Sequence, residues 1–200
     1  MIQDADRTSL RHGVVVLAAG ASRRLGRPKQ LVEIDGETLL HRTVRLALTT
    51  RPADLVVVVS HAADASAGAV SDLSVRCVEA AAADAGMGIS LQCGFDALAD
   101  VDAVLVLVCD QPALDASHLA TLLARWCDRP QHAVASGYAG TFGVPAIVPR
   151  AWLRTVRLAG DQGARAVLRT RADEVQVVAN EALAADIDRP ADLPAGAPRR

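Results

Sequence analysis

Gly13-Val-Val-Val-Leu-Ala18 runs without a break into Ala19-Gly20-Ala-Ser-Arg-Arg-Leu-Gly-Arg-Pro-Lys29. The first six residues are a nearly continuous aliphatic run, the pattern of a parallel strand covered by helices on both faces rather than one. Asp54–Ser60 (DLVVVVS) and Ala103–Cys109 (AVLVLVC) read the same way. Val75–Glu79 is a further strand candidate, with weaker ones at Ala133–Ser136, Val144–Val148 and Glu174–Val178.

Helical stripes alternate with these runs. Leu40, Val44, Ala47 and Leu48 fall at i, i+4, i+7 and i+8; Leu91, Phe95 and Leu98 continue the pattern, as do Leu119, Leu122, Leu123 and Trp126. Asp115 stands where the last of these stripes needs an N-cap. Strand–helix alternation on this scale predicts an α/β fold, a three-layer sandwich around a mainly parallel, Rossmann-like sheet. At 200 residues the chain fits a single domain, with its core over about residues 13–192 and mobile termini. The tail after Asp188 (RPADLPAGAPRR) is expected to fray.

Composition narrows the partners. A formal net charge of −2 gives no basic footprint for nucleic acid. The aliphatic runs fall far short of the roughly twenty residues of a membrane span, and the polar N-terminus does not read as a signal peptide. A cytoplasmic protein without nucleic-acid or membrane partners is expected. Cys77, Cys93, Cys109 and Cys127 are scattered without metal-ligand spacing and read as reduced, mostly buried small hydrophobes. The histidines (His12, His41, His61, His118, His132) are isolated and read as surface or helix-face residues. Neither Ser90 nor Cys93 has a base at recognisable spacing, which favours direct transfer over a covalent intermediate.

Open α/β sheets bind ligands at the carboxyl ends of their strands. After the first strand, the small residues Ala18, Ala19, Gly20 and Ala21 allow close approach to the backbone, and Arg23, Arg24, Arg27 and Lys29 place four cations within seven residues. Backbone donors beside fixed cations suit a polyphosphate. The spacing is neither GxxxxGK[ST] nor GxGxxG. At the end of the run Val104–Val108, Asp110 precedes Gln111-Pro112; a carboxylate there suits magnesium, which takes one or two carboxylates plus substrate phosphates. Gly86 and Gly88 precede the stripe of Leu91 and offer backbone approach next to a helix start.

The ordered run LAAGxSxRxGxxK at Leu17–Lys29 resembles the signature of the nucleotidyltransferases related to the molybdenum cofactor guanylyl- and cytidylyltransferases. The resemblance extends from about Gly13 to Asp192. It implies that Leu17, Ala18, Ala19, Gly20 and Gly26 contact the nucleotide and that Arg24 and Lys29 neutralise its triphosphate. Lys29 would meet the charge that develops at the α-phosphate. Gly88 and Ser90, in GMGxSL, would close over base or ribose. The CDQP element resembles a metal-binding Asp-x-Pro element, and Asp186-Ile-Asp188-Arg-Pro-Ala-Asp192 resembles a closing DIDTPEDL motif. Asp110 would then share Mg2+ with Asp188 or Asp186. Tyr138–Pro145 (YAGTFGVP) and Gly160–Arg165 (GDQGAR) resemble acceptor-side elements, which would give Gly143, Pro145 and Arg165 to the acceptor, with Arg165 a candidate for its phosphate.

The resemblance favours CTP:molybdopterin cytidylyl transfer, with a molybdoenzyme or its chaperone as a candidate partner. Rival readings are a methylerythritol phosphate acceptor, GTP-dependent guanylyl transfer, and a catalytically silent nucleotide- or cofactor-binding module.

Overall fold

A computed structural model describes residues 10–60, 64–80, 86–156, 158, 160 and 163–194. Among the described residues the three buried runs form the centre of a seven-stranded sheet. β1 (His12–Leu17) lies between β4 (Asp54–Ser60) and β6 (Ala103–Val108), and β5 (Arg76–Ala80) flanks β4. These four run parallel, with Val15 level with Val56 and Val106. Beyond β6 come β8 (Thr141–Pro149), β7 (Ala133–Tyr138) and β9 (Val175–Ala179), in the order β5-β4-β1-β6-β8-β7-β9. β8 is antiparallel to both neighbours, while β7 and β9 run parallel to each other. The strand boundaries expected from sequence hold within a residue or two, except that β7 and β8 are longer, because they pair as a hairpin.

Alternation along each strand sorts its side chains into two cores, since successive residues point to opposite faces. Val14, Val16, Leu105 and Leu107 pack with α1 (Leu39–Leu48) and α4 (Ala116–Asp128). Val15, Leu17, Val104 and Val106 pack with α3 (Met87–Ala97), α5 (Arg150–Thr155) and α6 (Ala164–Thr170). The sheet is mixed but mostly parallel, with helices on both faces. The remaining helix, α2 (Asp64–Gly68), is a short turn after β4. Asp115 caps α4 as expected, its side chain accepting from the His118 N–H at 2.8 Å. No helix among the described residues is long and apolar enough to cross a membrane.

Several expectations need correction. Leu98 stands past the end of α3, although it still packs into the core. A small hairpin, β2 (Glu33–Ile34) and β3 (Glu37–Thr38), turns at Asp35-Gly36, both at positive φ; the Asp-Gly pair is the sequence signal for that turn. Of the cysteines only Cys109 is buried, while Cys77 is exposed at the edge strand β5. His12 is buried in β1 rather than on the surface or a helix face, with the Thr50 hydroxyl as partner at 2.9 Å, whereas His118 does stand on a helix, α4, on its buried side and 2.7 Å from the Ser136 hydroxyl. His61, Ala81–Ala83, Asp84, Asp161, Gln162 and the end of the tail lie outside the described residues.

Candidate active site

The carboxyl ends of β1 and β6 lie side by side, Leu17 level with Val108. That pairing brings the loop after β1 next to Asp110. Within the loop the Ser22 carbonyl accepts from the N–H of Leu25 and of Gly26, and the Ser22 hydroxyl accepts from the N–H of Lys29 at 3.0 Å. Ser22 thus ties the loop into a compact turn and sets the backbone of Lys29. A separate apolar cluster of Leu25, Val32, Leu39 and Ile187 joins this turn to the C-terminal segment. The Ile187 N–H also donates to the carbonyl of Asp110 at 2.9 Å. Asp192 holds the same segment by accepting from the N–H of Asp188 and Arg189 at 3.0 and 2.7 Å.

Three distant parts of the chain therefore converge. The Lys29 ammonium donates to Asp110 Oδ2 at 2.5 Å and to Asp188 Oδ1 at 2.8 Å, and Arg24 meets Asp188 Oδ2 at 2.6 Å. Carboxylate oxygens of Asp110, Asp186 and Asp188 all lie within 4.8 Å of one another. Three hard oxygen donors at that spacing fit a divalent cation of the magnesium kind, so the residues present suit the expected ion.

The charges fix protonation states. Burial disfavours the Lys29 ammonium, but Asp110 and Asp188, by charge and by hydrogen bonding, outweigh it and hold its pKa above the usual lysine value. Lys29 is a fixed cation and not a proton acceptor. The hydrogen bond from Lys29, against opposing burial and with help from the nearby cations, keeps Asp188 below the usual carboxylate range. Asp186 is raised, first by burial and then by the charges of Asp188 and Asp110.

Two cavities meet at this point. The smaller, about 220 Å³, is lined by Leu17, Ala18, Ala19 and Gly20 together with Lys29 and Ser90. The larger, about 660 Å³, is lined by Gln111, Tyr138, Val144, Arg165, Arg169 and Asp186 among others. Leu17, Met87, Val108 and Asp110 line both. The Ala18 N–H already donates to Val58 O at 2.9 Å. Among the described residues no acceptor meets the N–H of Ala19 or Gly20, so donors open to a ligand begin there.

The remaining sequence candidates stand further back. Gly26 is an exposed turn residue at φ 77° and lines neither cavity. Gly88 lines neither, and its N–H is taken by the carbonyl of Gly160 at 2.8 Å, which ties the start of α3 to the segment before α6. Gly143 and Pro145 line neither cavity, although Val144 between them lines the larger. A Cβ on Gly143 would come within 3.0 Å of the Arg165 guanidinium and 3.1 Å of the Tyr138 hydroxyl, so the absence of a side chain there lets both groups sit as they do. Sequence reasoning missed Met87, Gln111, Tyr138 and Arg169 as lining residues, and Ser22 and Asp192 as supports. Arg169 carried a usable signal, standing four residues after Arg165 on a helix face.

The chain belongs to the MobA-like NTP transferase domain family, which it matches over residues 14–177. It is 34% identical over 159 residues to the "Probable molybdenum cofactor guanylyltransferase" of Opitutus terrae, covering 77% of this chain and 74% of that one. It is 30% identical over 187 residues to the nicotine blue oxidoreductase of Paenarthrobacter nicotinovorans, covering 87% and 90%. Against the bifunctional protein GlmU of Rhodococcus jostii the identity is 36% over 157 residues, and the chain spans 31% of that protein's length. Among solved structures, the homologue of Mycobacterium tuberculosis rv0371c from Mycobacterium sp. strain JC1 is 29% identical with a TM-score of 0.74, covering 92% of this chain and 94% of that one.

Proposed function

We propose that this protein is a single-domain cytoplasmic nucleotidyltransferase that moves CMP from CTP to the phosphate of molybdopterin and releases pyrophosphate. The observation that carries this reading is the convergence of Lys29, Asp110 and Asp188 where two cavities meet. Nucleotidyl transfer needs one pocket for the triphosphate, another for the acceptor, and cations with a divalent-ion site between them.

In this reading the nucleotide occupies the smaller pocket, its phosphates against the free N–H groups of Ala19 and Gly20. Arg24 and Lys29 neutralise the triphosphate, and Ser90 lines the nucleotide side. Asp110, Asp188 and Asp186 would hold Mg2+, which supplies charge neutralisation at the phosphates when bound. The acceptor phosphate, already an anion, attacks the α-phosphorus; a new P–O bond forms as the bond to the leaving pyrophosphate breaks. No residue has to remove a proton, and the raised pKa of Lys29 suits a group that stays charged throughout. Catalysis is then positioning and electrostatic stabilisation.

The larger cavity is the acceptor side, with Arg165 and the Val144 between Gly143 and Pro145 in its wall. Its volume of about 660 Å³ is that of a pocket for a sizeable small molecule, which favours molybdopterin over a short sugar phosphate such as methylerythritol phosphate. Guanylyl transfer is the second reading, favoured by the similarity to the Opitutus protein. Pyrophosphate release measured with each of four nucleoside triphosphates, with and without molybdopterin, separates them. Release is expected with CTP and only when molybdopterin is present. Equal rates with GTP count against the cytidylyl assignment, and no release with any triphosphate counts against transfer itself.

A further inference from the structure

The larger cavity carries two cations, Arg165 and Arg169, in a wall that Asp110 and Asp186 also line. Arg165 and Arg169 stand four residues apart on α6, hence on one face of that helix, and both line the cavity. Several other arginines answer to carboxylates: Arg24 to Asp188, Arg45 to Glu37, Arg76 to Asp54 and Arg171 to Glu174. Among the described residues no carboxylate pairs with Arg165 or Arg169. Like charges at this spacing repel along a helix face, an arrangement that an anion between them relieves.

The wall beside this pair is ordered by its neighbours. The Arg165 guanidinium lies over Gly143 next to the Tyr138 hydroxyl, and that hydroxyl donates to Val144 O at 2.8 Å. Lys29 lines only the smaller cavity, Arg165 and Arg169 only the larger, and Asp110 both. A phosphate poised to attack belongs at the junction, by Asp110, so the arginine pair is left to serve another part of the acceptor.

We propose that Arg169, together with Arg165, clasps a second anionic group of the acceptor, distinct from the attacking phosphate. The acceptor is then a molecule with negative charge at two separated places. Arginine suits this role because its planar fork presents paired donors to an oxyanion. The inference rests on the nucleotidyltransferase reading and adds a charge requirement to its acceptor.

Calorimetric titration tests it on the full chain saturated with magnesium and the α,β-methylene analogue of whichever nucleoside triphosphate binds most tightly. The two probes are methyl phosphate and hexane-1,6-diol bisphosphate. The bisphosphate is expected to bind at least about tenfold more tightly, the factor for one additional charge-assisted contact. Arg169→Gln is expected to erase that gain, and Arg169→Lys to keep part of it. Equal affinities in the wild type, no binding of the bisphosphate, or a gain that survives in Arg169→Gln overturns the clasp. Should no triphosphate bind, the underlying reading fails separately, and the same two probes on the free protein and on Arg169→Gln still decide the clasp.

Discussion

The ammonium of Lys29 lies 2.5 Å from Asp110 and 2.8 Å from Asp188, in the space between two carboxylates that would otherwise face a divalent ion. A divalent ion held by these acids would lie close to the Lys29 ammonium, and two positive charges at this range repel strongly in a partly buried site. On the proposed reading Asp110 and Asp188 would take up the ion most readily together with the triphosphate, whose charge would draw Lys29 away from them.

Lys29→Met follows directly from this pairing. The variant is expected to bind Mn2+ without nucleotide at least about tenfold more tightly than the wild type, the equivalent of about 1.4 kcal/mol, as read by electron paramagnetic resonance of free Mn2+. Pyrophosphate release is expected to fall by roughly 10²–10³, the usual loss for one preorganised charge donor. Unchanged Mn2+ affinity would remove Lys29 as the competitor for the site.

Asp110→Asn keeps the shape but removes a charge from the trio that includes Asp186 and Asp188. Turnover is expected to lose its ordinary dependence on magnesium, with the titration shifted to higher concentration by about tenfold or more. A titration curve that overlays the wild type argues against Asp110 as a ligand.

Gly94→Ala tests how α3 is seated. A Cβ there would come within 2.6 Å of Val15 Cγ1 and 2.7 Å of Val58 Cγ2, so the helix that carries Ser90 must lift from β1 and β4. Overpacking of this kind costs about 1–3 kcal/mol, against a helix-propensity gain of about 1 kcal/mol. Urea unfolding should show a lower midpoint, and a higher one would mean that α3 does not pack on these valines.

His12 gives a pH dependence of defined sign. Burial holds its pKa down to about 4 from 6.5, so the folded protein binds fewer protons at this site than the unfolded chain between those values. The resulting stability is present above pH 6.5 and is lost as pH falls towards 4, by an amount on the order of 3 kcal/mol. His12→Gln, which can still reach Thr50, should flatten that limb of the stability curve measured by thermal unfolding. A limb as steep as in the wild type would assign it to other groups.

The sheet was legible in the chain because its central strands are buried on both faces, and residues such as Val14–Leu17 can be nothing but aliphatic there. The small residues and cations after β1 stood out as a local pattern, and the structure brings Ala18, Ala19, Gly20 and Lys29 to the wall of the smaller cavity. Asp110 could be named from its place at the end of a buried run. The hairpin at Asp35-Gly36 also had its signal in two residues.

Other features depend on contacts between segments far apart in sequence. Lys29 and Asp188 are 159 residues apart and meet because Leu25, Val32, Leu39 and Ile187 share one small apolar cluster, which no local pattern announces. The burial of His12 and His118, the loss of the Gly88 N–H to Gly160, and the placing of Arg165 beside Gly143 belong to the same class. Periodicity and turn chemistry act over a few residues and can be read along the chain. Which side chain faces which cavity follows from the pairing of strands and the docking of helices, and that comes into being only when the whole core closes.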